Sequence, residues 1–334
     1  MSDIITLSHG SGGRLTHRLI RNIFRKYFSD GSCNEDDSAM LELPAGRLAF
    51  TTDSFVVSPV FFRGGDIGKL SVCGTVNDLV TAGADPLYLS CSFILEEGLE
   101  LSELERIVES MGRTARECGV KIVTGDTKVV GRGAADKIYI NTSGIGVIRE
   151  GIQASGSLAK PGDSVIVTGP VGDHGCAILL ERESLNIDAV VNSDCACLNR
   201  LIGKVLDRVK DVHVLRDPTR GGLATSLNEI VEQSGVGIVL EESSIPVRDQ
   251  VRGVCELLGM DPLYMANEGR MILIVPKTSE KEVLEILKCD ILGKDACIIG
   301  EVTSAPAGRV IMRTITGGRR IVDMMTGDML PRIC

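Results

Sequence analysis

Short clusters of glycine recur along this chain, and they constrain its fold more than any other feature of the sequence. The 38 glycines among 334 residues stand in turns such as His9–Gly13, Gly169–Gly172 and Asp217–Gly222, without the three-residue period of collagen. Glycine adopts backbone conformations closed to other residues and lets the main chain approach a ligand closely. The pattern predicts tight loops, several of which contact a ligand.

Helical and strand patterns alternate along the sequence and predict an α+β protein. At roughly 100–200 residues per domain, a chain of 334 residues favours two domains, and Lys160–Asp163 has the turn residues typical of a boundary. We expect one domain over 1–154 and a second over 155–318. Beyond Gly317 the sequence has turn residues without periodicity, so 319–334 is predicted to be a mobile tail.

The charge pattern argues against nucleic acid as a partner. The formal net charge is −9, and no run of Lys or Arg exceeds two residues, whereas nucleic-acid binders usually carry a basic stripe. An acidic chain that binds a polyphosphate needs metal ions to bridge the like charges.

Cysteine spacing and hydropathy predict a cytoplasmic protein. The 11 cysteines show no CxxC pair, which favours a reducing compartment and mostly buried thiols. The N-terminal segment lacks the apolar core of a signal peptide, and no apolar run approaches the roughly 18 residues of a membrane span. Cys334 is the exception, because a terminal residue is not readily buried.

Acidic residues beside small side chains end several apolar segments. Magnesium prefers such oxygen ligands and often shares them with substrate phosphates, although each acid taken alone equally fits a helix cap or a turn. Convergence of all of them would make a magnesium site. The positions are Asp36-Asp37, Asp53, Asn77-Asp78 and Asp126-Thr127.

Two glycine-rich loops and one turn add further candidates. The loop His9–Gly13 precedes a helical pattern, so its N–H groups are placed to approach phosphate oxygens. Asp217–Gly222 opens another helix, where Arg220 is either a phosphate ligand or part of an ordinary helix start. Glu268 stands in a tight turn before a strand and is either functional or merely exposed turn polarity.

The chain ends in Pro331-Arg332-Ile333-Cys334. The alternative to a functional thiol is a disordered end that happens to contain a cysteine. At ~3.3 Å per extended residue, the segment beyond Gly327 would carry the Cys334 thiol over about 20 Å. This spacing predicts a swinging arm that is loaded in one place and processed in another.

The order of these motifs resembles the ATP-binding superfamily of aminoimidazole ribonucleotide synthetase, selenophosphate synthetase and thiamine-monophosphate kinase. From end to end the chain is similar to the carbamoyl dehydratases of nickel–iron hydrogenase maturation, which begin with His-Gly-x-Gly-Gly and end in Pro-Arg-Ile-Cys. Here these motifs are His9–Gly13 and Pro331–Cys334. The resemblance implies the two-domain synthetase fold of the aminoimidazole ribonucleotide synthetase type. It also implies a homodimer whose N-terminal sheets pair, with ATP in a cleft lined by both N-terminal domains.

The resemblance further implies roles for individual residues. Lys128 and Glu268 match a Lys–Glu pair that accepts protons, and His9 is a second candidate for proton transfer or phosphate contact. The residues expected to hold Mg²⁺ on the triphosphate are Asp37, Asp53, Asp78 and Asp126. The residues expected to contact the nucleotide are Gly10, Gly12, Gly13, Asp36, Asn77, Thr127 and Arg220.

The implied reaction takes place on Cys334. A carbamoyltransferase, HypF, would load a carbamoyl group onto the thiol, and ATP-dependent dehydration would convert it to a thiocyanate. The HypC–HypD complex would then accept the cyanide for the iron centre. Use of ATP is reasonable because an amide oxygen is a poor leaving group and phosphate is a good one.

Two other functions are compatible with parts of the sequence. A selenophosphate synthetase-like phosphotransferase would use a reactive cysteine near its N-terminus, but no cysteine precedes Cys33, which lies outside the glycine-rich loop. A non-catalytic scaffold for the same partners would not need the full set of acids. A measurement of ATP hydrolysis separates the scaffold from the enzyme.

Overall fold

The computed structural model describes residues 4–28, 38–182, 187–327 and 333. The predicted site residues Asp36, Asp37 and Cys334 lie outside the described residues.

The N-terminal domain is a four-stranded sheet with helices on one face. The strand order is β1-β6-β4-β5, and the β4–β5 pair is parallel while the other pairs are antiparallel. A 3-10 turn precedes α1, and a π-helical segment separates α1 from α2. The elements are α1 (Arg14–Leu19), α2 (Arg25–Phe28), β1 (Leu48–Phe55), β2 (Phe61–Phe62), β3 (Gly65–Asp66), α3 (Ile67–Thr81), β4 (Ala84–Glu96), α4 (Leu101–Cys118), β5 (Lys121–Val130) and β6 (Ile138–Ile148).

The two faces of this sheet differ because side chains alternate along each strand. On β1, Ala49 and Phe55 are buried on the face that α3 covers. Phe50 on the opposite face is 70% exposed and Leu48 is 51% exposed. We call this second face the open face of the sheet. Large exposed apolar side chains on one face are typical of an interaction surface.

The C-terminal domain is a seven-stranded sheet in the order β13-β12-β9-β11-β7-β10-β8. Its pairs are antiparallel except for β9–β12. The elements are β7 (Asp163–Val167), α5 (Asp173–Leu180), α6 (Asn199–Arg208), β8 (Val214–Arg216), α7 (Gly222–Ser234), β9 (Gly237–Glu241), α8 (Asp249–Leu258), β10 (Ile272–Pro276), α9 (Glu280–Lys288), β11 (Cys297–Thr303), β12 (Val310–Arg313) and β13 (Arg319–Val322).

The strand β13 corrects the predicted start of the tail. Residues 319–322 pair with β12 at the edge of the sheet, so the chain leaves the domain after Val322 and not after residue 318. The sequence patterns did not predict this short hairpin, because three of the four β13 residues are exposed. Further along, Ile333 is 7% exposed and belongs to an apolar cluster that contains residues of both domains.

A disulfide joins the two domains and corrects part of the cysteine prediction. It links Cys118, at the end of α4, to Cys197, just before α6. The pairing could not be read from the sequence because 79 positions separate the partners. The expectation of buried thiols is confirmed for five of the other cysteines. These are Cys73, Cys91, Cys176, Cys195 and Cys255.

A helix that spans a membrane needs roughly 18 or more mostly apolar residues. Among the residues that the structure describes, no helix meets both criteria for a membrane span.

Candidate functional site

Two of the predicted acids lie together on the helix side of the N-terminal sheet. Asp53 belongs to β1 and accepts a hydrogen bond from the Ser54 N–H at 2.8 Å. Asp78 belongs to α3 and accepts one from the Thr51 hydroxyl, also at 2.8 Å. Burial raises the pKa of both carboxyl groups, and the charge of Asp53 raises the pKa of Asp78 further. A cation beside the two carboxyl groups would favour their ionised forms.

The loop before α7 brings C-terminal residues to these acids. The Arg220 guanidinium lies 3.6 Å from a carboxylate oxygen of Asp53. Asp217, in the same loop, is a residue to which the sequence analysis gave no role. Burial raises the pKa of Asp217 to about 7, and the charge of Asp78 contributes next. Its place at the start of the Asp-Pro-Thr-Arg-Gly-Gly motif was the available signal. We call Asp53, Asp78, Asp217, Arg220 and Glu268 the helix-side group.

Glu268 lies in a turn held by both domains. Its own N–H and that of Gly269 each donate to the Asp194 carboxylate, at 3.1 Å. A side chain at position 269 would overlap the main chain of Asp194, which explains the glycine. From α3, the Asn77 amide donates to the Glu268 main-chain oxygen at 3.4 Å.

Asn77 therefore has a different place from the one predicted. It is 2% exposed, its amide nitrogen also donates to the Ala196 carbonyl at 3.0 Å, and its amide oxygen accepts from the Leu198 N–H at 2.8 Å. Its donors and its acceptor are thus committed to main-chain groups. The geometry assigns Asn77 to support of the Glu268 turn, rather than to nucleotide contact.

Burial dominates the electrostatics of Glu268. The residue is 3% exposed, and burial raises the pKa of Glu268 well above its usual range, with the nearby groups of Cys195 and Asp217 adding to the effect. The buried surroundings therefore favour the protonated form of the Glu268 carboxyl group. Once ionised by an approaching cation, it would be a strong proton acceptor.

Asp126 lies at the opposite edge of the sheet. Asp53 pairs with Thr142 on β6, and Thr142 pairs with Cys91 on β4. Cys91 in turn pairs with Gly125 on β5. Three strand spacings of about 4.8 Å place the two edges roughly 14 Å apart. Successive residues also point to opposite faces, so Asp126 points to the open face while Asp53 points to the helices.

Two expectations therefore do not hold within one chain: the convergence of the metal-binding acids and the pairing of Lys128 with Glu268. The predicted metal-binding acids do not converge, because Asp126 is separated from Asp53 and Asp78 by the sheet itself. Lys128 is not paired with Glu268 either, because its ammonium lies 2.9 Å from the Asp126 carboxylate on the open face. This hydrogen bond from Lys128 lowers the pKa of Asp126 below its usual range.

The glycine-rich loop lies at the same edge as Asp126. A Cβ atom at Gly10 would lie 2.8 Å from the Val129 nitrogen, so the loop packs directly on β5. His9 is buried, and its Nδ1 accepts a hydrogen bond from the Thr6 N–H at 3.0 Å. The Thr127 N–H donates to Asp126 at 2.8 Å. The loop His9–Gly13 and the residues Asp126, Thr127 and Lys128 form the edge group.

The residues present fit a magnesium ion that is shared with phosphate. Within the described ranges, no three His, Cys, Asp or Glu side chains are arranged to hold a metal ion by themselves. Mg²⁺, however, is commonly bound through one or two carboxylates together with substrate phosphates and water. Asp53 and Asp78 supply such a pair, and the mutual repulsion of their charges favours a cation between them.

Family models cover most of the chain. Residues 35–148 match the N-terminal domain model of the AIR synthase related proteins, and residues 160–313 match the corresponding C-terminal domain model. The fold is therefore the two-domain, mixed helix and sheet architecture of these synthetases, as expected from the sequence. A thiamine-monophosphate kinase from Stenotrophomonas maltophilia, 20% identical with a TM-score of 0.64, shares this fold.

Full-length relatives narrow the assignment. The carbamoyl dehydratase HypE of Rhodobacter capsulatus is 49% identical over 333 residues, which covers 99% of this chain and 98% of the relative. HypE of Cupriavidus necator is 52% identical over 332 residues, covering 99% and 95%. The chain belongs to the HypE family of AIR synthase related proteins.

Solved structures agree with this assignment. A crystal structure of hydrogenase maturation protein HypE in complex with ATP has a TM-score of 0.95 at 52% identity, covering 98% of this chain and 99% of that one. A HypE–HypF complex contains a chain with a TM-score of 0.82 at 47% identity, covering 94% of this chain and 100% of that chain.

Proposed function

We propose that this protein catalyses the ATP- and magnesium-dependent dehydration of a carbamoyl group on its own Cys334, giving a thiocyanate. The cyanide would become a ligand of the iron of a nickel–iron hydrogenase. One structural observation carries the proposal. Ile333, the residue bonded to Cys334, is buried in the same apolar cluster as Ala266 and Cys195, which flank the Glu268 turn. This burial supports a place for Cys334 near the candidate site.

The chemistry explains the need for ATP. Attack of the carbamoyl oxygen on the γ-phosphorus breaks the bond to ADP, and loss of phosphate with the two N–H protons leaves a carbon–nitrogen triple bond. Mg²⁺ would neutralise the phosphate charge. Asp53 and Asp78 would hold that ion, Arg220 would contact a phosphate oxygen, and Glu268 would receive a proton from nitrogen.

A second copy of the chain would complete the site. Asp126 and Lys128 of the edge group lie on the open face with Phe50 and Leu48, and burial of this apolar face against a partner would be favourable. We propose a homodimer in which the edge group of one chain adjoins the helix-side group of the other. His9, Lys128 and the glycines Gly10, Gly12 and Gly13 would act on the nucleotide of that composite site.

The partners follow from the likeness to HypE proteins. We propose that HypF carbamoylates Cys334 and that a HypC–HypD complex accepts the cyanide. Both exchanges would take place in the cytoplasm. The HypE–HypF complex among the similar structures supports the first of these partners.

Intact-mass analysis with HypF, carbamoyl phosphate and ATP tests the proposal. Cys334 should gain a carbamoyl group and then lose one water in an ATP-dependent step, and Cys334→Ala should abolish both changes. Cys289→Ala is a matched control, since Cys289 is an exposed free thiol. An adduct on another cysteine, or one that never loses water, would contradict the proposal.

A further inference from the structure

His174 is a fully buried histidine to which the sequence analysis gave no function. It lies in the first turn of α5 and is 0% exposed. Its Nε2 lies 2.8 Å from the main-chain oxygen of Ile333, and its Nδ1 lies 2.8 Å from the Ser193 hydroxyl. The imidazole and the Phe62 ring also form a T-shaped pair, with the centroids 5.5 Å apart. Both ring nitrogens are therefore occupied.

The direction of these hydrogen bonds follows from their partners. A main-chain carbonyl accepts hydrogen bonds and cannot donate, so His174 carries its proton on Nε2. Ser193 accepts from the Cys195 N–H at 3.1 Å, which leaves its hydroxyl proton free to donate to Nδ1. The neutral imidazole thus has a fixed tautomer, and its donor faces the peptide bond that joins Ile333 to Cys334.

The loop that contains Ser193 also supports the Glu268 turn. Ser193 is followed by Asp194, whose carboxylate accepts from the N–H groups of Glu268 and Gly269 at 3.1 Å. On the other side, the Gly175 N–H of α5 donates to the Ala266 carbonyl at 3.0 Å. His174 and Glu268 are consequently held in one rigid frame.

The Ile333 side chain supplies a second point of recognition. It is 7% exposed and packs in the cluster that contains Phe62, Ile178 and Ala266. Full burial of an isoleucine is a substantial apolar contribution. Recognition therefore depends on two features of Ile333: its main-chain carbonyl, which His174 contacts, and its branched apolar side chain, which is buried.

We propose that His174 is the positioning residue for the C-terminus, and that it holds Ile333 so that Cys334 is presented beside the Glu268 turn. The inference rests on the proposed function. Consecutive Cα atoms are about 3.8 Å apart, so anchoring of Ile333 confines Cys334 to the immediate neighbourhood. Because both contacts are made by Ile333, they do not depend on whether the sulfur of the next residue is a thiol, a thiocarbamate or a thiocyanate.

The test compares His174→Phe, His174→Gln and the native protein after carbamoylation of Cys334. Phe fills a similar volume without hydrogen bonds, while the Gln amide can both donate to Ile333 and accept from Ser193. In single-turnover dehydration with ATP, we expect a loss of about tenfold for His174→Phe, from one lost hydrogen bond. His174→Gln should restore most of the rate, and the ATP concentration for half-maximal rate should not change.

Alkylation of Cys334 by iodoacetamide, read on the C-terminal peptide by mass spectrometry, gives an independent measure of docking. Labelling should be faster in His174→Phe than in the native protein. His213→Phe is the matched control, because His213 is also a buried histidine but bonds Asp163 far along the chain from the tail. It should leave labelling of Cys334 unchanged.

Ile333→Ser separates docking from folding, because it changes the tail and leaves α5 intact. It should also slow dehydration and speed up labelling. Suppose that the native protein dehydrates its adduct, and that His174→Phe and Ile333→Ser both dehydrate theirs at the native rate with native labelling. The positioning role of His174 is then refuted, and the proposed function stands. If the native adduct never loses water but Cys334 is still labelled faster in His174→Phe, the proposed function fails and the positioning role of His174 stands.

Discussion

The side-chain amide of Asn77 in the N-terminal domain donates a hydrogen bond to the main-chain oxygen of Glu268 in the C-terminal domain, at 3.4 Å. The same amide also contacts Ala196 and Leu198. One residue of α3 therefore sets the position of the turn that carries the candidate proton acceptor. The candidate site is thus divided between the two domains.

Asn77→Ala should weaken both stability and dehydration. The buried Leu198 N–H and the partly buried Ala196 carbonyl would lose their partner, and a buried group left unsatisfied costs about 1–3 kcal/mol. Urea unfolding and single-turnover dehydration measure the two effects. Asn228→Ala is the control, since Asn228 bonds Ala224 and Val322 within the C-terminal domain. Loss of stability without loss of rate in Asn77→Ala would remove its link to Glu268.

Asp78→Asn should allow carbamoylation of Cys334 and stop its dehydration. The amide keeps the volume of the side chain and can accept from Thr51, but it is a weaker ligand for Mg²⁺. We expect a rate loss of at least about 100-fold, since several kcal/mol of charge stabilisation is removed. Intact mass with time measures both steps. Dehydration at the native rate would exclude Asp78 from the metal site.

Mixing two inactive variants should restore activity if the site spans two chains. Asp78→Asn and Asp126→Ala each remove one side of the proposed composite site. In a mixed dimer, one of its two sites would contain both native residues, so an equimolar mixture should regain about a quarter of the native rate. Asp78→Asn mixed with Asp53→Ala is the control, because both residues belong to the helix-side group. Equal recovery in the two mixtures would argue against a shared site.

The stability of the folded chain should rise with pH up to about the ordinary histidine pKa of 6.5 because of His174. Burial lowers the pKa of His174, while the Asp194 charge and the bond to Ile333 oppose this effect. Below pH 6.5 the unfolded chain binds a proton that the buried imidazole does not, so the free energy of unfolding decreases as the pH falls.

Urea titrations from pH 5 to pH 8 measure this dependence. His174→Gln should have a flatter profile between pH 5 and 6.5 than the native protein, whereas His213→Gln should keep the contribution of His174. Parallel profiles for the native protein and His174→Gln would show that the imidazole does not contribute.

The sequence located most elements but not the faces of the sheet. The apolar segments recognised before Asp53 and Asp126 belong to β1 and β5. The face to which Asp126 points depends on how β5 pairs with β4, where the register shifts between Leu89 and Ser90. Such a shift is a property of the assembled sheet, because a slip of one residue moves every side chain to the other face.

Contacts between residues that are far apart in the sequence could not be predicted either. The motif around Arg220 was recognised, but its approach to Asp53 joins residues of different domains. Likewise, nothing in the local sequence of His174 indicates that it meets Ile333, 159 positions away. Local patterns identify which residues carry chemistry, and packing of the two domains decides which of them meet.

The bond between Cys118 and Cys197 closes residues 118–197 into a covalent ring that contains the connection between the domains. A protease that cuts once near Lys160–Asp163 would open this ring without releasing a fragment. On a gel, the nicked protein would migrate as one chain until a reductant is added, and then as two pieces. The halves of this molecule are thus fastened to each other twice, once by the peptide chain and once by sulfur.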